Sequence, residues 1–208
     1  MPLEFAGPAT PLDDKAIEQA ARAIGCQVAA LRAVLDVESR GGFLPNGRPK
    51  ILFERHYFSR LTKGTFDRGH PDISNREPGG YAGGPKEYGR LARAIKLDRD
   101  AALRSASWGS FQIMGDNFRA CGFADVTSFV AAMVSGAPAH LDAFVRFVKQ
   151  KGLGDELVRR DWAGFARGYN GPAYKTNDYD AKLAAQFALH SRGGSGMQIP
   201  IVGITSNK

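Results

Sequence analysis

Apolar residues recur three and four positions apart along most of the chain, which is the spacing of an amphipathic helix. The first such stripe predicts a helix that begins after an N-cap at Thr10, and a second helix is predicted over about residues 27–38. Asp125 (or Thr127) and Asp161 are the predicted N-caps of two later helices. The helices expected in the second half cover about residues 86–95, 98–106, 111–114, 127–134, 138–151, 162–169 and 178–191.

The helical pattern is interrupted between about residues 42 and 85. Residues 50–58 are rich in β-forming residues and predict either a short strand or a short apolar helix. Residues 62–85 are dense in Gly, Pro, Asn and Asp and end in PGGYAGGP. A loop of this length in a compact domain is usually a functional lip or a disordered segment. The pattern therefore predicts a mainly α, single-domain fold with a small β or irregular segment near residues 42–60.

Length and composition agree with one domain. The chain has 208 residues, of which 43% are hydrophobic, enough to form one substantial core. We expect a lead-in over residues 1–9, a folded domain over residues 10–192 and a flexible tail over residues 193–208.

The net charge of +7 at pH 7 favours a polyanionic partner, such as nucleic acid, an anionic cell envelope or acidic lipid. The basic residues are scattered, however, and form no block of five like charges. They also do not cluster with aromatic residues on one predicted face. A nucleic-acid partner is therefore not expected.

Several other chemistries are disfavoured by the sequence. Cys26 and Cys121 are the only cysteines, and we expect both to be buried, reduced thiols. The four histidines are dispersed without metal-binding spacing, and neither the dinucleotide-binding nor the P-loop glycine signature is present, so neither a metal site nor another cofactor is expected. The N-terminus does not have the pattern of a Sec signal, and no stretch reaches the roughly 18 apolar residues of a membrane span. These features predict a soluble protein that is made in a cytoplasm.

A carboxylate occupies an apolar position at the end of the second predicted helix. Val28, Leu31, Leu35 and Glu38 lie three and four residues apart and share one helix face. Burying a carboxylate without a partner is unfavourable, so the pKa of such a group is usually raised. A carboxylic acid that keeps its proton near neutral pH can serve as a general acid. The alternative is a glutamate at a helix end that turns outward to water.

Three stretches stand out, namely VESRGGF at residues 37–43, SWGSFQIMG at residues 107–115 and RGYNGPAY at residues 167–174. Their order and character resemble the lysozyme superfamily, in particular goose-type lysozymes and lytic transglycosylases. The strongest resemblance is to the phage endolysin N-acetylmuramidases, which share ILFERHYF, ASWGSFQIMG and YNGPAY almost as they stand here. It covers about residues 12–192 and implies a lysozyme-like catalytic domain.

The resemblance implies roles for particular residues. Glu38 is the expected proton donor to the glycosidic oxygen. Gly41 and Gly42 are expected to turn the backbone and leave space for a sugar ring. Gln112 is expected to bind an acetamido or hydroxyl group, and Trp108 is either a sugar platform or a core residue. The full expected substrate-binding set is Ser107, Trp108, Gln112, Tyr169 and Asn170, of which the last two are also expected to hold the acid, while Asn170 also ends a helix.

Glu54 is the candidate second carboxylate. Glycoside hydrolysis usually uses two carboxyl groups, about 5 Å apart in retaining enzymes and about 6.5–9.5 Å apart in inverting enzymes. Glu54 follows Glu38 by sixteen residues, in the region where lysozyme-like folds place their second acid. We expect it to act as a general base or a charge stabiliser. The alternative is a structural ion pair with Arg55, His56 or Arg60.

These features together predict a peptidoglycan hydrolase of the endolysin type. It is expected to cleave the β-1,4 bond between N-acetylmuramic acid and N-acetylglucosamine, with Glu38 as the acid and water as the acceptor. The nearest alternative is a lytic transglycosylase, which uses the muramoyl 6-hydroxyl and leaves a 1,6-anhydro end. A more distant alternative is a non-catalytic module that binds the cell wall.

The same resemblance implies where the protein acts and on what. The expected partners are peptidoglycan glycan strands and an anionic cell envelope. The expected state is a monomer that reaches the cell wall after its release from the host cytoplasm.

Overall fold

The computed structural model describes residues 4–38 and 41–192, except for the side chains of Pro172 and Ala173. Its α-helices are α1 (Asp14–Ile24), α2 (Val28–Glu38), α3 (Arg55–Leu61), α4 (Glu87–Ile95), α5 (Arg99–Arg104), α6 (Val126–Ser135), α7 (Ala137–Gln150), α8 (Gly154–Arg159), α9 (Trp162–Asn170) and α10 (Tyr179–Arg192). Its strands are β1 (Ile51–Phe53), β2 (Ala106–Trp108) and β3 (Ile113–Met114). Short 3-10 helices cover Gly84–Lys86, Gly115–Asn117 and Pro172–Asn177.

Most of the predicted helices are confirmed to within two residues at each end. Two of the predicted N-caps are also confirmed, because the Asp125 and Asp161 side chains accept hydrogen bonds from backbone N–H groups at 2.7 and 2.9 Å. Helix α8 was not predicted. It is short, and Leu157 is its buried residue, so it carries no periodic pattern that a sequence search would detect.

The start of α1 differs from the prediction. Asp13 is the N-cap instead of Thr10, and its side chain accepts a hydrogen bond from the Ala16 N–H at 2.7 Å. The Thr10 carbonyl accepts a hydrogen bond from the Ala137 N–H at 2.8 Å, far along the chain. Because that carbonyl bonds to another element, Thr10 does not begin the helix.

A three-stranded antiparallel sheet, in the order β1-β2-β3, stands beside the helices. Ile51 lies opposite Trp108, and Phe53 lies opposite Ala106, so β2 is the central strand. Both alternatives for residues 50–58 are present, because the strand β1 is followed directly by helix α3. The predicted β segment near residues 42–60 is therefore one edge of a sheet whose other strands come from residues 106–114.

The predicted helix over residues 111–114 is wrong, since these residues form the turn and the second strand of a hairpin. Gly109 and Gln112 have φ angles of 72° and 47° in the turn between β2 and β3. Positive φ angles cannot continue a right-handed helix. The hydrogen bonds of β2 to β1 fix this arrangement, and they depend on a segment more than fifty residues away.

Helix α2 carries Glu38 from the core to the surface. It packs against α1 and α10, and its residues Leu31 and Val34 are fully buried. Leu35 is also buried, whereas Glu38 at the last position is half-buried. The predicted apolar face is therefore confirmed, and it ends at the candidate acid.

Residues 62–83, here called the lip, follow α3 and contain no regular secondary structure. They are nevertheless anchored, because the Asp67 carboxylate accepts hydrogen bonds from Ser59 at 3.0 Å and Ser74 at 2.6 Å. Ile73 is fully buried in the core. The segment is therefore ordered, which excludes the expectation of disorder; that it is a functional lip stays a prediction.

The predicted lead-in, residues 1–9, is described from residue 4 onward. Phe5 of the lead-in packs edge-on against Trp108, with ring centroids 5.6 Å apart. The predicted flexible tail, residues 193–208, lies outside the described residues. Within the ranges 4–38 and 41–192, no helix is long and apolar enough to cross a membrane.

Both cysteines are free thiols, as predicted. Cys121 is buried, and burial raises its pKa to about 12. Cys26 is only half-buried, contrary to the expectation, although burial raises its pKa as well. A raised pKa keeps a thiol protonated and unreactive near neutral pH.

Candidate active site

An open cleft of about 740 Å³ separates the C-terminal end of α2 from the sheet. Its walls include apolar side chains from both sides, such as Leu44, Ile51, Phe111 and Phe147. The polar residues that line it include most of the predicted site, namely Glu38, Glu54, Ser107, Gln112, Tyr169 and Asn170. The structure therefore brings together residues that lie up to 132 positions apart in the sequence.

Glu38 is held by Asn170, the last residue of α9. The Asn170 side-chain amide donates a hydrogen bond to Glu38 Oε1 at 3.0 Å. Gly171 follows with a φ angle of 81°, so the helix ends there and the chain turns away. The predicted pairing of Asn170 with the acid is thus present, together with the predicted helix end.

Tyr169, the residue before Asn170, fixes the end of α9 against the hairpin. Its hydroxyl donates a hydrogen bond to the Phe111 carbonyl at 2.8 Å, and its ring packs on Phe165 with centroids 5.5 Å apart. Burial raises the pKa of Tyr169 well above its ordinary value, and Glu38 in its ionised form adds to the shift. The phenol is therefore a neutral, fixed donor that ties α9 to the turn of the hairpin.

Glu54 lies in the same cleft and is mostly buried, with 15% of its side chain exposed. The Tyr81 hydroxyl lies 3.2 Å from its Oε1 and 3.0 Å from its Oε2. His56 Nδ1 lies 3.2 Å from Oε2. Of the three predicted ion-pair partners, only His56 is in contact, because Arg55 binds carbonyls of the lip and Arg60 lies beside Asp116.

The turn between β2 and β3 is fixed by Gln112. Its amide nitrogen donates hydrogen bonds to the carbonyls of Gly109 at 2.8 Å and Lys50 at 3.2 Å. Its amide oxygen accepts a hydrogen bond from the Ser107 hydroxyl at 2.9 Å. Gln112 and Ser107 both line the cleft, and their hydrogen bonds hold the turn in its left-handed conformation.

Trp108 does not face the cleft. It is 1% exposed, and its indole N–H donates a hydrogen bond to the Leu103 carbonyl at 3.1 Å. A ring this deeply buried cannot stack on a sugar, so the expectation that Trp108 binds substrate is corrected in favour of the core alternative.

Gly42 does not leave space for a sugar ring, contrary to the expectation. A Cβ atom added there would clash with the Ser110 hydroxyl and lie 3.0 Å from His140 Nδ1. The space beside Gly42 is therefore filled by the hairpin and by His140, and it does not receive a sugar. Gly41, with a φ angle of 73°, makes the predicted sharp turn.

His140, which the sequence analysis did not select, supports the hairpin from the core. Its Nδ1 accepts a hydrogen bond from the Ser110 N–H at 3.1 Å, so Nε2 carries the proton and donates to the Met133 carbonyl at 2.7 Å. The ring stacks on Phe43 at 4.9 Å and is 1% exposed. Burial lowers the pKa of His140, which is therefore neutral in the folded protein.

This arrangement predicts a pH-dependent stability. The unfolded chain protonates His140 below about pH 6.5, whereas the folded protein resists protonation until a lower pH. The stabilising effect of neutral His140 is therefore fully present above about pH 6.5. It is lost as the pH falls towards the pKa of His140 in the folded protein. Thermal unfolding measured between about pH 7 and pH 5 should show a steeper loss of Tm for the unaltered protein than for His140→Gln. Equal slopes would contradict the assignment.

Residues that hold Glu54 and the segments around it were not predicted from the sequence. Tyr81 lies in the PGGYAGGP stretch, where an aromatic residue among glycines was the available signal. Glu87 and Arg90 form a buried ion pair at 2.9 Å beneath the lip. A Glu and an Arg three residues apart on a helix are usually a surface pair, so their spacing gives no signal of burial.

Potential metal ligands are not gathered in the described ranges. No group of three or more His, Cys, Asp or Glu residues is placed there to hold a metal ion.

Comparisons with known proteins identify a matching family and a similar solved structure. The family model for N-acetylmuramidase matches residues 27–191. The crystal structure of the Burkholderia AP3 phage endolysin is 44% identical, with a TM-score of 0.84 over 89% of this chain and 73% of that chain. A search of curated proteins found no match.

These similarities confirm the predicted resemblance and the mainly α, lysozyme-like fold. The matched family region includes Glu38, Glu54 and Asn170. The chain therefore belongs to the N-acetylmuramidase family, and it is a glycoside hydrolase of peptidoglycan.

Proposed function

We propose that the protein cleaves the β-1,4 bond between N-acetylmuramic acid and N-acetylglucosamine, with Glu38 as general acid and water as acceptor. The observation that carries the proposal is the hydrogen bond from the Asn170 amide to Glu38 Oε1, inside a cleft that also contains Glu54. An amide N–H can only donate, so it favours Oε1 as the acceptor oxygen. The transferred proton then resides on the other oxygen of the same carboxyl group.

The apolar walls of the cleft favour this role. A carboxyl group that is partly removed from water is favoured in its neutral form. Glu38 delivers its proton to the glycosidic oxygen as the bond to the muramoyl C1 breaks, and positive charge develops on the sugar ring. Glu54, as general base, takes a proton from the attacking water or, as a carboxylate, stabilises that charge.

We further propose that the domain over residues 10–192 acts as a monomer on glycan strands. The charge of +7 supports attraction to an anionic cell envelope. Release from the host cytoplasm would bring the enzyme to this substrate.

Product analysis tests the reaction directly. Purified peptidoglycan is digested, and the fragments are identified by mass spectrometry. We expect fragments with N-acetylmuramic acid at the reducing end. Fragments that lack one water and carry a 1,6-anhydro end would instead establish a lytic transglycosylase, and N-acetylglucosamine at the reducing end would place the cleavage at the other glycosidic bond.

The role of Glu54 gives a separate prediction. Glu54→Gln keeps the size of the side chain and its contact with Tyr81 but removes the charge and the basicity. If Glu54 takes part in the reaction, turnover should fall by about 10²-fold or more at an unchanged Tm. Turnover on peptidoglycan fragments and thermal unfolding are measured together. A lower Tm with near-normal turnover would instead identify a structural ion pair with His56.

A further inference from the structure

We infer that Tyr81 is a positioning residue that holds the Glu54 carboxylate in the orientation needed for reaction. The inference rests on the proposed participation of Glu54. The Tyr81 hydroxyl lies within hydrogen-bond distance of both carboxylate oxygens, at 3.2 and 3.0 Å. A donor placed between both oxygens restricts rotation of the carboxylate about its last bond.

The phenol remains a donor under working conditions. A carboxylate can only accept hydrogen bonds, so the proton of the pair belongs to the phenol. Partial burial raises the pKa of Tyr81, and the hydrogen bond and negative charge of Glu54 raise it further. Tyr81 is therefore neutral near neutral pH.

His56 also lies beside Glu54 but does not form an aligned hydrogen bond with it. His56 Nδ1 approaches Oε2 to 3.2 Å, yet among the described residues it has no aligned hydrogen-bond partner. The angular requirement of a hydrogen bond is not met at this contact. Among the described residues, the Tyr81 hydroxyl is therefore the side-chain group whose hydrogen bond orients the Glu54 carboxylate.

The backbone after Tyr81 is fixed to a buried charge. The N–H groups of Ala82 and Gly83 donate hydrogen bonds to Glu87 Oε1 at 2.6 and 2.8 Å. The other oxygen of Glu87 accepts a hydrogen bond from the Phe53 N–H at 3.3 Å, one residue before Glu54. One carboxylate therefore holds both the segment that carries Tyr81 and the strand end that carries Glu54.

The backbone before Tyr81 is fixed as well. The Arg55 guanidinium donates hydrogen bonds to the carbonyls of Glu77 at 2.9 Å and Pro78 at 3.1 Å. Gly80 has a φ angle of 70°, and a Cβ atom there would lie 3.1 Å from Arg55 Nη1. The glycines of this stretch thus allow a close approach to Arg55, and the segment is held on both sides of Tyr81.

The aromatic ring of Tyr81 contributes little to the packing of the protein. The residue is 48% exposed, so its ring buries little apolar surface. Replacing it by phenylalanine removes the hydroxyl and keeps the ring, so the fold should be unaffected.

Four proteins test the inference on peptidoglycan fragments: the unaltered enzyme, Tyr81→Phe, Glu54→Gln and the double variant. We expect Tyr81→Phe to lower kcat about tenfold, as for the loss of one hydrogen bond to a charged group, with KM changed less than about twofold. Its Tm should be unchanged. In the Glu54→Gln background the same change should have almost no further effect on kcat, because coupled residues are not additive.

Tyr57→Phe is the matched control, since Tyr57 is also close to Glu54 in the chain but packs against the Arg60 guanidinium at 4.0 Å. It should retain normal kcat. Normal kcat in Tyr81→Phe, or a full tenfold loss repeated in the Glu54→Gln background, would overturn the inference. If Glu54→Gln is itself fully active, the proposed role of Glu54 fails, and that result is distinct from a failure of Tyr81 alone.

Discussion

Glu38→Gln should fold normally and lose lytic activity by about 10²- to 10⁴-fold, the range for removal of a general acid or base. The amide keeps the shape of the side chain and can still bind Asn170, but it cannot deliver a proton to the glycosidic oxygen. Clearing of purified peptidoglycan gives the activity, and thermal unfolding gives the stability.

The control for this prediction is Glu18→Gln on α1, an exposed glutamate whose carboxylate lies 3.8 Å from Arg22. It should clear peptidoglycan at the normal rate. Substantial activity of Glu38→Gln at an unchanged Tm would remove Glu38 from the mechanism. A large loss of Tm would instead mean that the variant reports on folding.

Glu87→Gln should be strongly destabilised, although Glu87 has no proposed role in the reaction. The Glu87 side chain is fully buried, and its partner Arg90 is 6% exposed. Removing one member of a buried ion pair leaves the other charge uncompensated and typically costs about 3–5 kcal/mol. For a chain of this size we expect Tm to fall by about 10 °C.

Glu77→Gln is the matched control for stability, since its exposed side chain lies in the lip and only its carbonyl binds Arg55. Its Tm should stay within about one degree of the unaltered protein, as for most surface changes. A fall in Glu87→Gln no larger than in this control would show that the buried pair contributes little.

The helices could be predicted from the sequence because their signals are local. The apolar spacing of α2 and the caps at Asp125 and Asp161 involve residues only three or four positions apart. The failure at Thr10 has the opposite cause, because its carbonyl bonds to Ala137, and no rule about neighbouring residues contains that contact.

Only part of the site was predicted, because a family resemblance points to residues but does not show their surroundings. The resemblance to known muramidases pointed to Glu38, Glu54 and Asn170 together. It did not distinguish between the two environments open to Trp108, and the burial of that ring beside Phe5 decided the question.

By itself the sequence determined the helical composition, the family and the identity of the candidate acid. Only the tertiary structure decided that residues 106–114 form a hairpin against β1, and that Tyr81 and His56 lie beside Glu54. The contact of Tyr81 with Glu54 spans 27 positions through a glycine-rich segment. Such a segment has no preferred local conformation, so its path depends on the anchors Arg55 and Glu87, which are in place only after the domain has packed.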